Sequence, residues 1–458
     1  MIRINVLPDD ALLDIFDFCG MIMNPSYHRK RVEAWQSLVH VCRRWRNLVF
    51  KSPRRLNLNL FCTPKTPAKD RLDIWPALPL IIQGMPTFSS STDNMIAALG
   101  QSNRVRQVIL DLAGWQLEEI LAPMQAPFPE LTDLKLWSYD EPISVISDSF
   151  LGGSAPRLRC LKLESISFLG LPKLLLSATH LVELHLYDIP HSGYISPKAM
   201  VTLLLSVLSS LEKLSLGFRS PQSRPERESP SLSQPKRSIF PALTRFRYRG
   251  VTEYLEDFVT RIDTPQLDHL EIRLFNQIDF DCPGLAQFIS CTPKLRALDE
   301  ALLVFNDSTA SVTLRSQTYR SSDLLINISC REPDWQLSSI EQICNSSLLP
   351  LFSAVKDLFL ERQYSRLVWK NDAIESTLWS ALLLPFTAVR SLYLSKELAP
   401  CITDLVGGRI TEALPSLQNV FVEDLKLSGS SLENIGQSVV AHAQQLSDYI
   451  IPIPGWEM

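Results

Sequence analysis

A six-residue leucine phrase recurs along most of the chain. The strict form, L-x-x-L-x-L, begins at Leu131, Leu158, Leu181 and Leu211. Looser copies begin at Val105, Leu243, Leu267, Leu295, Val355, Val389 and Leu417. From Leu131 to Leu295 successive copies lie 23 to 32 residues apart. Within each phrase the last two leucines alternate with other residues, which is the period of a strand with one buried face. The pattern therefore predicts a series of short strands joined by longer connections.

A single strand of this kind cannot bury its apolar side alone, but stacked copies form a continuous core. The pattern resembles the leucine-rich repeat proteins. That resemblance implies an α/β solenoid with parallel strands on its concave face and helices or irregular turns outside. The family's Asn or Cys, three residues after the last Leu of the phrase, is missing here: Tyr139, Ile166 and Ile189 occupy those positions. We therefore expect irregular turns between the repeats.

Three segments depart from the pattern. Residues 219–239 contain four prolines and no aromatic side chain, which predicts a flexible insertion between repeats. Residues 300–350 lack a clear copy of the phrase, although 312–314 and 324–326 are predicted to be strands. A further match at Leu171 is out of step with the others, and we predict that it lies on a helix.

The first 55 residues show a helical period instead. Leu12, Ile15, Phe16 and Cys19 recur at steps of three and four residues, and Pro8 precedes them as a helix start. A second apolar stripe ends before Pro53, and its members are Trp35, Leu38, Val41 or Cys42, Trp45, and Leu48 or Val49. Two short helices cannot hide both of these apolar faces, so we expect a partner to cover part of them.

Three short motifs in this segment, Leu7-Pro8, Ile15-Phe16 and Val41-Cys42-Arg43-Arg44-Trp45, resemble the F-box. The connection between Cys19 and Trp35 is about ten residues longer than in that family. The resemblance implies a small all-α domain that docks on a Skp-type adaptor and so joins a cullin-based ubiquitin ligase. The residues expected to contact the adaptor are Leu7, Pro8, Leu12, Ile15, Phe16, Val41, Cys42 and Trp45.

The residues that alternate with the buried leucines should line the face of the sheet that points away from the helices, which is the concave face of a solenoid and the usual binding surface of a repeat protein. Aromatic side chains beside arginine are favoured at protein interfaces. Three arginines share one predicted strand and suggest an acidic or phosphorylated partner. The candidate target-binding residues are Trp137, His185, Tyr187, Arg245, Arg247 and Arg249.

Composition narrows the classes of function. Lys and Arg number 45 against 49 Asp and Glu, and the net charge of −4 does not favour nucleic-acid binding. The chain has 73 Leu but only 16 Gly, and it contains no glycine-rich phosphate loop. Nine cysteines and seven histidines are scattered without metal-ligand spacing, so we expect no metal, no cofactor and no active site.

No apolar stretch is long enough to span a bilayer, and the first 14 residues contain three aspartates, so we expect no secretory signal and no membrane partner. The protein is therefore expected to be intracellular, in the cytoplasm or the nucleus or both. We predict an F-box domain at 1–55, a degenerate leucine-rich repeat solenoid at 56–446 and a tail at 447–458.

These features together favour the substrate-recognition subunit of a Skp-cullin-F-box ubiquitin ligase. The helices would bind the adaptor, and the repeats would bind an unidentified protein target. An alternative is an interaction scaffold outside any ligase, in which the N-terminal helices only cap the first repeat. A third alternative is an enzyme whose site leaves no signature in the sequence.

Overall fold

The structure is a computed structural model. It describes residues 7–21, 40–51, 58–62, 68–74, 78–84, 92–140, 145–168, 171–207, 209–221, 237–275, 280, 282–317, 322–362, 376–395, 397–398, 402 and 410–422. The chain divides into two compact units, Met1–Gly193 and Tyr194–Met458. The predicted tail at 447–458 lies outside the described residues, as does most of the predicted insertion at 219–239.

Two short helices begin the first unit: α1 (Asp9–Met21) and α2 (Arg43–Lys51). Helix α1 starts after Pro8, whose carbonyl accepts a hydrogen bond from the Leu12 N–H at 3.1 Å. Helix α2 starts one residue after Cys42, whose carbonyl accepts the Arg46 N–H at 3.1 Å. Val41 and Cys42 therefore precede the helix, which corrects the prediction that they belong to its apolar stripe.

Among its described residues, the main sheet of the first unit contains six parallel strands in chain order. Two shorter strands pair separately with each other. The strands are β1 (Leu58–Phe61), β2 (Leu80–Gly84), β3 (Val105–Leu112), β4 (Asp133–Ser138), β5 (Val145–Ile146), β6 (Cys160–Glu164), β7 (Ser167–Phe168) and β8 (Glu183–Ile189). The helices are α3 (Ala68–Ile74), α4 (Thr92–Leu99), α5 (Gly114–Leu121) and α6 (Leu171–Ser177). The prediction of a helix at Leu171 is confirmed.

In the part of the second unit that the structure describes, nine strands form the main sheet, in the order β9-β11-β13-β16-β15-β14-β17-β18-β19. These strands and the short β10 and β12 are β9 (Lys213–Phe218), β10 (Ser238–Ile239), β11 (Arg245–Gly250), β12 (Ile262–Asp263), β13 (His269–Leu274), β14 (Glu300–Phe305), β15 (Thr309–Arg315), β16 (Asp323–Ser329), β17 (Asp357–Arg362), β18 (Ser391–Leu394) and β19 (Asn419–Val422). The helices are α7 (Pro197–Leu204), α8 (Thr252–Val259), α9 (Pro283–Cys291), α10 (Pro333–Asn345), α11 (Leu349–Phe352), α12 (Ser376–Leu383) and α13 (Ile410–Ala413).

Short 3-10 segments add to these connections at Pro123–Gln125, Phe150–Gly153, His191–Gly193, Leu205–Val207 and Leu295–Ala297. Among the described residues, no helix is long and apolar enough to cross a bilayer. Ser238 and Ile239, at the end of the predicted flexible insertion, pair in parallel with β12 and are therefore part of the ordered structure.

Each copy of the leucine phrase forms one strand and pairs with the copy before it. In the last two leucine positions of β4, Leu134 and Leu136 are buried, whereas the alternate residues Lys135 and Trp137 are partly exposed. The residue after the first leucine of the phrase donates its N–H to the equivalent carbonyl of the previous repeat. Arg159 bonds to Thr132 in this way at 2.8 Å, and Val182 bonds to Arg159 at 2.8 Å. The repeats are therefore joined by backbone hydrogen bonds as well as by their apolar core.

The region from 300 to 350 contains the antiparallel part of the second sheet. Strands β14, β15 and β16 form a meander whose neighbouring strands run in opposite directions. The predicted strands at 312–314 and 324–326 are confirmed within β15 and β16. Because the meander folds backward, β16 pairs with β13 and β14 pairs with β17. Strands that are adjacent in space are here far apart in the chain.

Candidate functional site

The contact between α1 and α2 is made by large apolar side chains. The rings of Phe16 and Trp45 lie 4.9 Å apart at an angle of 58°. Phe16 is only 1% exposed, and Leu12 and Trp45 are also buried. Burying apolar side chains of this size contributes about 1.5 to 3 kcal/mol each. These buried side chains therefore stabilise the packing of α1 against α2.

Polar contacts join the beginnings of the two helices. Arg44 Nη2 donates to Asp9 Oδ1 at 2.6 Å and to the Leu7 carbonyl at 2.6 Å. The Trp45 N–H donates to Cys42 Sγ at 3.5 Å, which satisfies a donor in the first turn of α2. The Arg44 and Asp9 side chains are both well exposed to solvent, so this ion pair contributes little to stability but fixes the orientation of the segment at Leu7.

The eight predicted adaptor-contact residues fall into three groups. Ile15 and Val41 are 40% and 58% exposed, and Pro8, directly before α1, is also exposed. Leu7 and Cys42 are half-buried. The third group is buried within the chain, and its contact with an adaptor stays a prediction: Leu12, Phe16 and Trp45.

In the first unit, the predicted residues Trp137 and Tyr187 lie on one outer face with Lys162 between them. The registers of β4, β6 and β8 align Trp137, Glu164 and Tyr187 in one row. Lys162 Nζ lies 4.7 Å from the Trp137 ring centroid and 5.1 Å from that of Tyr187. This is cation–π geometry on both sides of one ammonium group. Glu164 Oε2 forms an ion pair with the same group, at 3.6 Å from Lys162 Nζ.

His185 extends this surface. Its ring stacks on Tyr187 with centroids 5.8 Å apart, and its Nε2 lies 3.5 Å from Glu183 Oε2. The period-two pattern placed Trp137, His185 and Tyr187 on a common face, and the register of the strands confirms that placement. Whether they contact a target stays a prediction.

In the second unit, the three predicted arginines of β11 share one face. Arg245, Arg247 and Arg249 are all exposed and alternate with buried residues of the core. Arg249 lies 5.6 Å from the ring centroid of Phe275. The alternation confirms that the arginines point to the same side of the sheet.

Glu271 on β13 organises the charges next to these arginines. Its Oε2 lies 2.9 Å from Arg247 Nε, and its Oε1 accepts a hydrogen bond from Arg273 Nε at 2.7 Å. The Glu271 side chain is 9% exposed. A carboxylate buried this far is stable only when its charge is compensated, and here two guanidinium groups and an imidazole surround it.

His269 completes this group, which we call the Glu271 cluster: Arg247, His269, Glu271, Arg273 and Asp323. The ring Nδ1 makes a short contact with Asp323 Oδ1, and Nε2 lies 3.8 Å from Glu271 Oε2. These two carboxylates raise the pKa of His269 to about 9. In turn His269, followed by the nearby arginines, holds the pKa of Glu271 well below its usual range despite burial.

At the other end of the same sheet, three aromatic rings stack on three adjacent strands. Phe359 and Tyr393 have centroids 4.2 Å apart and an interplanar angle of 5°. Tyr393 and Phe421 follow at 4.7 Å and 16°. We call Phe359, Tyr393 and Phe421 the aromatic ladder. All three side chains are partly exposed, so the ladder forms an apolar strip on the outer face.

His, Cys, Asp and Glu side chains are the groups that could supply metal ligands or nucleophiles in the described part of the chain. No group of three or more His, Cys, Asp or Glu side chains within it could hold a metal ion. Burial raises the pKa of the Cys160 thiol to about 11, and burial also raises the pKa of Cys344. Thiols in this state are poor nucleophiles at neutral pH. The charged and aromatic outer faces are the candidate functional surfaces.

Sequence reasoning missed Glu271, His269 and Asp323. The leucine phrases at Leu243 and Leu267 align the two strands, so the pairing of Arg247 with Glu271 could have been predicted from them. Asp323 lies on β16, which neighbours β13 only because of the meander. No pattern in the sequence indicated that neighbour.

No protein-family model and no curated protein sequence matches the chain. Among solved structures, the leucine-rich repeat-containing protein LegL7 from Legionella pneumophila is 12% identical, with 84% of this chain and 98% of that one covered and a TM-score of 0.24. Rad7, in a complex of Rad7 and Elc1 from yeast, is similar at 13% identity, 92% and 90% coverage and a TM-score of 0.28. Both similarities are weak, and the repeat character of the chain rests on its own strands.

Proposed function

We propose that this protein is the substrate-recognition subunit of a Skp-cullin-F-box ubiquitin ligase. The pair of helices α1 and α2 binds the Skp-type adaptor, and the leucine-rich repeat solenoid binds a protein target. The chain itself performs no chemistry and needs no cofactor. It brings a target lysine close to a ubiquitin-conjugating enzyme, so that catalysis arises from raised local concentration.

The observation that carries this proposal is the apolar surface left on the helix pair. Phe16 and Trp45 satisfy the contact between the helices, yet Ile15 and Val41 remain exposed and Pro8 is exposed near the start of α1. Exposed apolar side chains grouped on a small domain are typical of a docking surface. They belong to the Leu-Pro, Ile-Phe and Val-Cys-Arg-Arg-Trp motifs that resemble the F-box.

Binding of the full chain to a purified Skp-type adaptor tests the proposal. The double variant Ile15→Asp/Val41→Asp should weaken binding by about tenfold or more, because it places charges in an apolar interface. Leu176→Asp is the matched control, since Leu176 is an exposed leucine on α6, outside the helix pair. Circular dichroism of each variant checks that the fold is retained.

Each result has a separate meaning. If the double variant binds as well as wild type, Ile15 and Val41 are not the contact residues. If wild-type protein does not bind the adaptor, the ligase role is wrong.

The alternative is a leucine-rich repeat scaffold that acts outside any ubiquitin ligase. The burial of Leu12, Phe16 and Trp45 favours this reading as well, because a capping element must also pack on its own chain. Affinity purification of the full chain distinguishes the two functions. A receptor should capture ligase subunits that the Ile15→Asp/Val41→Asp variant loses, whereas a scaffold should capture the same partners with both proteins.

A further inference from the structure

Five cationic side chains share the outer face of β11, β13 and β16 with only two carboxylates. The cations are Arg245, Arg247, Arg249, Arg273 and His269, and the carboxylates are Glu271 and Asp323. With the imidazole protonated, this leaves a surplus of three positive charges on a chain whose formal net charge is −4. A local reversal of charge of this kind attracts an anionic partner.

Glu271 fixes two of these arginines without using most of their donors. Its carboxylate oxygens lie 2.9 Å from Arg247 Nε and 2.7 Å from Arg273 Nε. A guanidinium group has five N–H donors, so four remain on each arginine. Across the described residues, no hydrogen bond engages the terminal Nη groups of either one, and the two side chains are 46% and 60% exposed.

We infer that Arg247 and Arg273, held in place by Glu271, bind a phosphorylated serine or threonine in an extended segment of a partner protein. This inference rests on the proposed receptor function, because it names the class of target. Arginine forks match the oxygen geometry of phosphate and bind it bidentately. Arg245 and Arg249 lie two residues to either side of Arg247 and can contact further acidic groups of the same segment.

A phosphoryl group suits this site better than a carboxylate does. It carries a charge of about −1.5 to −2 and three strong acceptor oxygens. A single Asp or Glu supplies one charge and two oxygens, which would leave most of the surplus charge and most of the Nη donors unsatisfied. The site should therefore distinguish a phosphorylated segment from one that is merely acidic.

Fluorescence anisotropy with the full chain and labelled peptide pools tests the inference. The pools are identical except for a fixed central residue, which is phosphoserine, serine or glutamate. We expect the phosphoserine pool to bind about tenfold or more tightly than the other two pools. Equal binding of the phosphoserine and glutamate pools would overturn the inference, and so would tighter binding of a single-stranded DNA oligonucleotide.

Two double variants locate the site. Arg247→Gln/Arg273→Gln should lower the affinity for the phosphoserine pool about tenfold or more, because it removes both charge and fork. Arg247→Lys/Arg273→Lys keeps the positive charge next to Glu271 and the fold, and it should still lose several-fold in affinity, since the fork is absent. Arg157→Gln/Arg159→Gln, two exposed arginines of the first unit, is the matched control and should bind like wild type. Undiminished binding by the Lys variant contradicts a bidentate site.

The same protein preparations separate this inference from the proposed function. Adaptor binding without preference for phosphoserine overturns only the phosphate site. Preference for phosphoserine without adaptor binding overturns the ligase role and leaves the phosphate site standing.

Discussion

One row of side chains on the outer face of the second unit begins with charges and ends with aromatic rings. The strand registers align Arg247 and Glu271 with Leu325, Thr313 and Leu302, and the row then continues through Phe359, Tyr393 and Phe421. Each member of the row lies directly opposite the next one on the neighbouring strand, although β15 runs antiparallel to both of its neighbours. The Glu271 cluster and the aromatic ladder both lie on the parallel parts of this row and differ in the side chains that they present.

The two ends of the row are stabilised by different physics. In the Glu271 cluster, each buried charge depends on the charges beside it, so removing one partner leaves another uncompensated. In the aromatic ladder, each ring contributes its own contact area and stacking, and no member needs a specific charge opposite it. We therefore expect a single substitution in the Glu271 cluster to weaken the other ion pairs of the cluster, whereas a substitution in the aromatic ladder should cost only the contacts of the ring that is removed.

The largest effect should come from the inner face, which both ends share. Leu270 lies behind the Glu271 cluster and Leu392 behind the ladder, and both are fully buried. Replacing either by Ala should lower the free energy of unfolding by about 2 to 5 kcal/mol, because each leaves a cavity. Urea denaturation measures both. A much smaller loss of unfolding free energy for Leu392→Ala than for Leu270→Ala would show that the core behind the aromatic ladder is less tightly packed than the core behind the Glu271 cluster.

A somewhat smaller effect is expected for Glu271→Gln. This variant keeps the side-chain volume but leaves Arg247, Arg273 and protonated His269 close together without their central anion. Breaking a buried ion-pair network in this way should cost about 3 kcal/mol in unfolding free energy. Glu164→Gln is the control, because Glu164 pairs with Lys162 on a more exposed outer face and should cost less than about 1 kcal/mol. Equal costs for the two would contradict the cooperative cluster.

Much of this arrangement was predictable from the sequence. The leucine phrase fixed which residues of each strand face inward, so the common face of Arg245, Arg247 and Arg249 followed from a period of two. The reversal of strand order between β14 and β16 was not predictable. A strand shows the same alternation of buried and exposed residues whether it pairs in parallel or antiparallel with its neighbours, as β14, β15 and β16 do. Asp323 joined the cluster through that reversal.

The helix pair shows a second limit of sequence reasoning. Leu12 and Phe16 are four residues apart and share one face of α1, whereas Ile15 lies to one side of that face. The pattern identified all three as apolar but could not tell which of them would meet Trp45. The tertiary contact decides: Phe16 packs on Trp45, and Ile15 remains exposed.

The aromatic ladder offers a milder test. Tyr393→Ala removes the central ring between Phe359 and Phe421, and it should lower the unfolding free energy by about 1 to 2 kcal/mol, since the side chain is only half-buried. Tyr393→Phe keeps the stack and should stay within about 1 kcal/mol of wild type. If Tyr393→Phe costs as much as Tyr393→Ala, the hydroxyl rather than the stacked ring stabilises this end.

The Glu271 cluster should also make stability depend on pH through His269. The pKa of His269 is about 9 in the folded protein against an ordinary value of 6.5, so the folded state holds its proton more tightly. The contribution of His269 is therefore fully present below pH 6.5 and is lost as the pH rises through 9.

Urea midpoints recorded across this pH window measure that contribution. Wild type and Tyr393→Ala should lose stability in parallel as the pH rises, because the ladder contains no group of the cluster. His269→Gln should be less stable than wild type near neutral pH and should show a flatter profile, since it has no imidazole proton to lose. An unchanged slope in His269→Gln would mean that another group titrates in this range and that His269 does not couple the cluster to pH.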